Sequence, residues 1–186
     1  WTELFLAHKD LAESIEDKES KGMFFAWLGF AFLSNDNQNS KRYLEMALKI
    51  GEESQNQKII AYAYTWLMFT YADLGLMDQA IICGNKVRNM KTLMKSESYL
   101  FFKSLGGLAI AYWQKGETKK LLAVAEKLIK YGQQESNIRS QTMGYMALCG
   151  VHTVAGDFQQ AIKFEQKAIG VSADPWYTHI SKMFLG

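Results

Sequence analysis

The residues best suited to metal ligation or proton transfer near neutral pH are the three histidines, and their spacing favours neither. His8, His152 and His179 fall in different segments, and no HExxH, CxxC or paired-histidine spacing surrounds them. His152 stands where Tyr71 and Tyr112 stand in related segments, the place of a residue packed between helices. His8 neighbours Lys9 and Asp10 on an expected exposed helix face, and His179 follows Thr178. Cys83 and Cys149 are too few for a disulfide framework and read as small buried apolar residues of a reducing compartment. Leu105-Gly106-Gly107-Leu108 lacks the Gly-Lys-Ser/Thr ending of a phosphate loop and has no strand before it, so close packing or a notch in a groove is its expected role. Ser14, Ser104 and Ser181 have no nucleophile elbow around them. The carboxylates Glu52-Glu53 and Glu13, Glu16 and Asp17 lie in polar segments that read as solvated faces. These residues predict no catalytic centre, no metal and no cofactor.

Charge and hydropathy exclude further classes. Lys plus Arg number 21 and Asp plus Glu 19, a net charge of +2, so no overall field draws the chain to nucleic acid or an anionic membrane. Lys119-Lys120, Lys127 and Lys130 share one expected helix with Glu117 and Glu126; Lys41-Arg42, Lys49 and Lys86/Arg88/Lys91 are likewise diluted. No apolar run reaches the ~18–20 residues of a membrane span, and no signal peptide is visible. With 48% hydrophobic residues and one proline among 186, a large and strand-poor core is expected. The expected location is cytoplasmic. Trp1 is not an initiator methionine and the pattern stops in mid-segment at Gly186, so the sequence reads as a piece of a longer protein.

The elements that must carry any function repeat. Gly75, Gly116 and Gly156 are 41 and 40 residues apart, and the count back from Gly75 falls on Asn35, another residue that tolerates a left-handed backbone. Trp27, Leu67, Leu108 and Leu148 precede these points at equal spacing, and Ala47, Val87, Leu128 and Ala168 follow them. Each period reads as two helices. In the second, Ile60, Tyr64, Leu67, Met68, Tyr71 and Leu74 recur at steps of three and four, Gly75 ends the helix, and Ala80, Ile81, Gly84, Val87 and Met90 make a second stripe. The fourth continues the pattern with Tyr145, Leu148, Cys149 and His152, then Ala161, Ile162, Phe164 and Ala168. Thr2 to Glu16 read as a second helix without its first, with Leu4, Ala7 and Leu11 standing 40 residues before Leu44, Ala47 and Gly51. Asp174-Pro175 stops the last pair, and Trp176 to Leu185 open another helix. The expected divisions are residues 1–20, 21–60, 61–101, 102–141, 142–174 and 175–186, in one array.

This pattern resembles the tetratricopeptide repeat. The best matches are Tyr64, Leu67, Tyr71, Gly75 and Ala80 in the second unit, and Tyr145, Leu148, Gly156-Asp157-Phe158, Ala161, Ala168 and Asp174-Pro175 in the fourth. The third matches through Leu105, Leu108, Tyr112 and Gly116, with Leu121 replacing the usual alanine; in the first, Asn35 replaces glycine and Ser40 replaces alanine. The period of about 40 departs from the family's usual 34, the value that long-helix versions in bacterial regulators and cell-polarity adaptors also exceed. The extra residues are expected between units, at Gly51 to Gln57 and Gly132 to Asn137. Gly156 to Ile162 with Ala173-Asp174-Pro175-Trp176-Tyr177 looks like the C-terminal repeat region of bacterial signalling proteins that join a class III adenylate or guanylate cyclase, or a kinase, to an AAA-type ATPase. The resemblance implies an all-α, right-handed solenoid of antiparallel helix pairs and a non-catalytic scaffold for protein–protein interaction.

Carrying over the family's groove positions selects Gly22, Phe25, Gly29 and Phe32 in the first unit; Tyr62, Thr65, Phe69 and Ala72 in the second; Lys103, Gly106, Ile110 and Trp113 in the third; and Met143, Met146, Gly150 and Thr153 in the fourth. Such a lining favours an apolar peptide or helix as partner. The Lys/Asn/Arg set with which some relatives grip a peptide carboxylate is missing from these positions. Self-association into a homo-oligomer and sensing of a small molecule are the competing expectations; nucleic acid and membrane are not expected partners.

Overall fold

The computed structural model describes residues 2–172 and 174–185; the side chains of Trp176, Ile180, Met183, Phe184 and Leu185 are outside the description. Trp1, Ala173 and Gly186, which entered the reading of the ends and of the fourth unit, lie outside the described residues. Every regular element among those described is helical: α1 (Thr2–Ala7), α2 (Lys9–Ser14), α3 (Lys18–Phe32), α4 (Asn37–Glu53), α5 (Gln57–Asp73), α6 (Met77–Asn89), α7 (Lys91–Ser96), α8 (Ser98–Gln114), α9 (Thr118–Gln134), α10 (Ile138–Val154), α11 (Phe158–Val171) and α12 (Pro175–Leu185). None of them is long and apolar enough to cross a membrane. The chain forms two compact units, residues 1–107 and 108–186, whose boundary falls inside α8.

In unit 1 each long helix packs on its neighbour in sequence, α3 on α4, α4 on α5 and α5 on α6. Phe25, Leu28, Tyr43, Ala47, Ile59 and Leu100 are at the centre of its core. In unit 2, α10 packs against both α9 and α11, and Leu121, Val124, Ala125, Leu128, Ala161 and Ala168 are buried there.

One turn design joins most of the long helices. Gly75, Gly116 and Gly156 adopt φ of +76°, +68° and +76° between the members of a pair. Gln55 and Ser136 adopt the same left-handed backbone, at +54° and +52°, between one pair and the next. At all five, the following residue's N–H donates to the carbonyl five residues back at 2.8–2.9 Å: Asn56 to Gly51, Leu76 to Tyr71, Glu117 to Tyr112, Asn137 to Gly132 and Asp157 to His152. This is the closing bond of a Schellman turn. Asn56, Asn137 and Asp157 then accept the first N–H groups of the next helix. Where Gln55 and Ser136 stand, the period of about 40 is therefore two similar half-periods, and the second turn is hidden because its left-handed residue is not glycine. In the first pair the left-handed residue is Ser34, at +64°, not the expected Asn35. That turn is one residue longer, and Asp36 accepts from the Asn39 N–H at 3.0 Å to start α4.

A left-handed backbone strains any residue with a Cβ, by roughly 1 kcal/mol. Ser136→Gly is expected to raise stability by about 0.5–1 kcal/mol in urea unfolding, with the Gln55→Gly change behaving alike. A loss of stability in both would contradict this account of the turns.

Three more expectations are corrected. The residues assigned between units are mostly helical: Gly51 and Gly132 lie inside α4 and α9, and only Ser54–Asn56 and Glu135–Asn137 form turns. Five helices have 17 residues each, so the longer period is taken up in helix length. The second unit's closing helix stops at Asn89, and α7 follows, so that Met90, Leu93 and Met94 pack on the unit 1 core. Thr2 to Glu16 is broken at His8, whose Nδ1–H donates to the Leu4 carbonyl at 2.9 Å. There Ala12 is buried and Phe5 packs on the core, while Leu4, Ala7 and Leu11, in register with Leu44, Ala47 and Gly51, are exposed.

Candidate interaction surface

The residues carried over as groove positions occupy two kinds of place. Phe25 and Thr65 are wholly buried, and Tyr62 and Met143 nearly so. Thr65 spends its hydroxyl on the Ala61 carbonyl at 2.7 Å, and Met143 Sδ accepts from the Tyr177 hydroxyl at 3.5 Å. Phe32, Phe69 and Lys103 in unit 1, and Ile110, Trp113 and Met146 in unit 2, are half-buried. Phe32 stacks on Tyr43 with centroids 5.6 Å apart. Trp113 lies over the backbone of α10 at Gly150.

Unit 1 gathers a set of rings that only partly overlaps those positions. Trp27 and Phe30 on α3, Trp66 and Phe69 on α5, and Tyr99 and Phe102 on α8 form a continuous aromatic array. Trp66 is its hub. Its ring lies 4.2 Å from Phe30, 5.7 Å from Phe69 and 6.2 Å from both Trp27 and Tyr99, centroid to centroid. Tyr62 joins through Trp27 at 5.7 Å and Tyr99 at 6.3 Å, and Tyr99 meets Phe102 edge-on at 5.5 Å. Tilted and edge-on pairs at these separations use the ring quadrupoles favourably. The Lys103 ammonium lies 5.8 Å from the Trp66 and Tyr99 centroids and 5.9 Å from Phe102, within reach of a cation–π attraction. Phe30 keeps 38% of its surface exposed, whereas Trp66 keeps 2%. The Trp66 Nε1–H is buried without an acceptor. At one edge of the array Lys58 pairs with Glu97 at 3.6 Å, and burial, helped by Glu97, pushes the Tyr62 hydroxyl above its ordinary range.

Trp27, Phe30, Trp66 and Tyr99 were missed because groove positions borrowed from a consensus ignore what each unit puts between them. A signal existed: in register with Trp66 stand Ala26 one period before, Gly107 one period after and Ala147 two periods after. An indole where the other units keep a small residue must push its neighbours outward, and the rings of α3 and α8 gather round it.

The thiols offer little chemistry. Cys83 is buried as expected, but Cys149 is only half-buried. Burial pushes Cys83 up to about 11, with Lys86 pulling the other way; burial and the adjacent Glu165 carboxyl push Cys149 up to about 11. Both stay neutral thiols near pH 7, the poorly nucleophilic form. His152 is half-buried, its ring stacked on Phe164 at 5.2 Å and its Nδ1 3.6 Å from an Asp157 oxygen. His8 and His179 are exposed. Among the described residues no three His, Cys, Asp or Glu side chains converge as metal ligands would. Glu165 is a second residue the sequence reading passed over. It is 1% exposed, and its carboxyl oxygens have no hydrogen-bond partner stronger than the Cys149 thiol. Its register equivalents are Leu44, Gly84 and Ala125.

Compared with models of known protein families and with curated proteins, the chain finds no match.

Proposed function

We propose that this chain is a non-catalytic protein-interaction module of tetratricopeptide type, a right-handed array whose unit 1 binds an apolar peptide or helix on its aromatic array. The observation that carries the reading is the array itself. Four rings from three helices lie against Trp66, and the most exposed of them, Phe30, stays in contact with solvent. Aromatic clusters of this kind, rigid and partly desolvated, concentrate binding energy at interfaces. The resemblance to the repeat regions of bacterial cyclase and ATPase signalling proteins extends the proposal to a cytoplasmic regulatory role, with any enzymatic activity in another domain.

Panning a library of 16-residue peptides on the intact chain tests the reading. Selected peptides are expected to lose at least tenfold in affinity to the Phe30→Ala, Phe69→Ala double variant, about 1.4 kcal/mol or more. Unchanged affinity in a variant with wild-type circular dichroism would place binding elsewhere and defeat the proposal.

A further inference from the structure

Unit 2 carries a surface of a different kind on α9 and α11. Leu122 and Ile162 stand one period apart on these helices, and both are exposed, although Ile162 was expected to face inward. Phe158, one turn before Ile162, is 63% exposed. On the same two helices Lys119, Lys127, Lys130, Lys163 and Lys167 are exposed, outnumbering the exposed Glu126 of α9, and among the described residues no carboxylate lies within ion-pair distance of any of the five. Lys163 and Lys167 are four apart on one helix, and Lys127 and Lys130 three apart, so each pair repels its partner. The contrast with α4 is direct. There Lys41 pairs with Glu45 at 3.7 Å and Lys49 with Glu53 at 3.9 Å, four apart in each case. Lys115 and Lys120 are held by Glu117 and Lys167 lies over the Tyr145 and Phe164 rings, but the five lysines named have no carboxylate partner beside exposed aliphatic and aromatic side chains, a combination that suits an acidic amphipathic segment.

The chain itself displays such a segment. Residues 2–20 hold six acidic residues against two basic ones. Leu4 and Leu6 are exposed there, and Leu11 is 65% exposed. Glu3, Asp10 and Glu16 beside them are exposed as well. Apolar side chains in an acidic frame on α1 and α2 thus answer apolar side chains in a basic frame on α9 and α11. We propose that residues 2–20 of one copy dock on the α9–α11 face of a second copy, so that the chain self-associates head to tail. The contact joins two different patches, and such an interface propagates from copy to copy unless its rotation closes a ring.

Sedimentation of the intact chain over a wide concentration range, at low and high salt, tests this. A mass above that of the monomer is expected at low salt, rising with concentration and falling as salt screens the lysines. Lys163→Glu with Lys167→Glu, and separately Asp10→Lys with Glu16→Lys, are each expected to weaken association at least tenfold while leaving circular dichroism unchanged. Mixing the two variants is expected to restore association, because each then meets a partner of opposite charge. A wild-type chain that stays monomeric throughout overturns the proposal, and so does a mixture that stays monomeric. Association that ignores both salt and the lysine reversals places the contact on another surface and overturns it equally; binding of the α9–α11 face to anionic vesicles without self-association does the same.

Discussion

Glu165→Leu is expected to stabilise the protein by about 2 kcal/mol. The side chain is 1% exposed on α11, and both carboxyl oxygens are buried with no hydrogen bond stronger than one from the Cys149 thiol. An orphaned buried polar group costs about 1–3 kcal/mol relative to one that is satisfied or absent. The neighbouring Cys149 thiol is a weak donor and offsets little of this. Leucine has nearly the same size, and Leu44 holds the equivalent position of α4 while completely buried. Transfer of apolar surface adds to the gain, and overpacking is avoided because the volume hardly changes. Glu165→Gln, which keeps the shape and leaves polar atoms orphaned, should gain much less. Urea unfolding measures both. A Leu variant less stable than wild type by more than about 1 kcal/mol would mean that the carboxyl group makes an interaction worth keeping, and would turn attention to Glu165 as a functional residue.

The second large effect runs the other way. Gly132→Ala is expected to cost about 2 kcal/mol, although alanine is the better helix former by about 1 kcal/mol. A Cβ at Gly132 would lie 2.5 Å from Gln141 Cγ, 2.7 Å from the Gln141 backbone nitrogen and 2.8 Å from the Asn137 carbonyl oxygen. Two of these atoms are backbone, so relief requires moving the start of α10 away from α9. That movement would stretch the bonds that the Gly132 carbonyl accepts at 2.9 Å from the Asn137 N–H and from the Gln141 side-chain amide. Gly170→Ala is the control, since nothing lies within 4 Å of a Cβ there. It should be neutral or stabilising by up to about 1 kcal/mol. Equal effects at the two positions would show that helix preference, and not the α9–α10 contact, governs Gly132.

Gly132 also illustrates how a correct pattern can be given the wrong cause. Its recurrence with Gly51 was visible, but read as part of a loop between units. Periodicity marks where glycines recur without saying whether a turn or a close helix crossing requires them. Local signals were legible where a residue's own backbone chemistry decides the outcome. Gly75, Gly116 and Gly156 take positive φ, and Asp157 caps its helix, because these preferences hold in any surrounding. Ser34, Gln55 and Ser136 take the same backbone against their preference, so nothing in their identity announced it.

The sequence by itself determined the helical class, the paired helices and their spacing. Each of these follows from steps of three and four among apolar residues and from residues that end helices, interactions that act within a few positions of the chain. Tertiary structure decided which side chains meet. It buried Phe25 and Thr65 while leaving Phe30 in solvent, gathered four rings against Trp66, enclosed Glu165 with no partner better than a thiol, and turned Leu4 and Leu11 outward. A stripe of apolar residues gives a helix a sticky side, but the helices that pack on it set which residues of the stripe are covered. Those contacts depend on neighbours dozens of residues away, and one indole in place of a small side chain is enough to redistribute them.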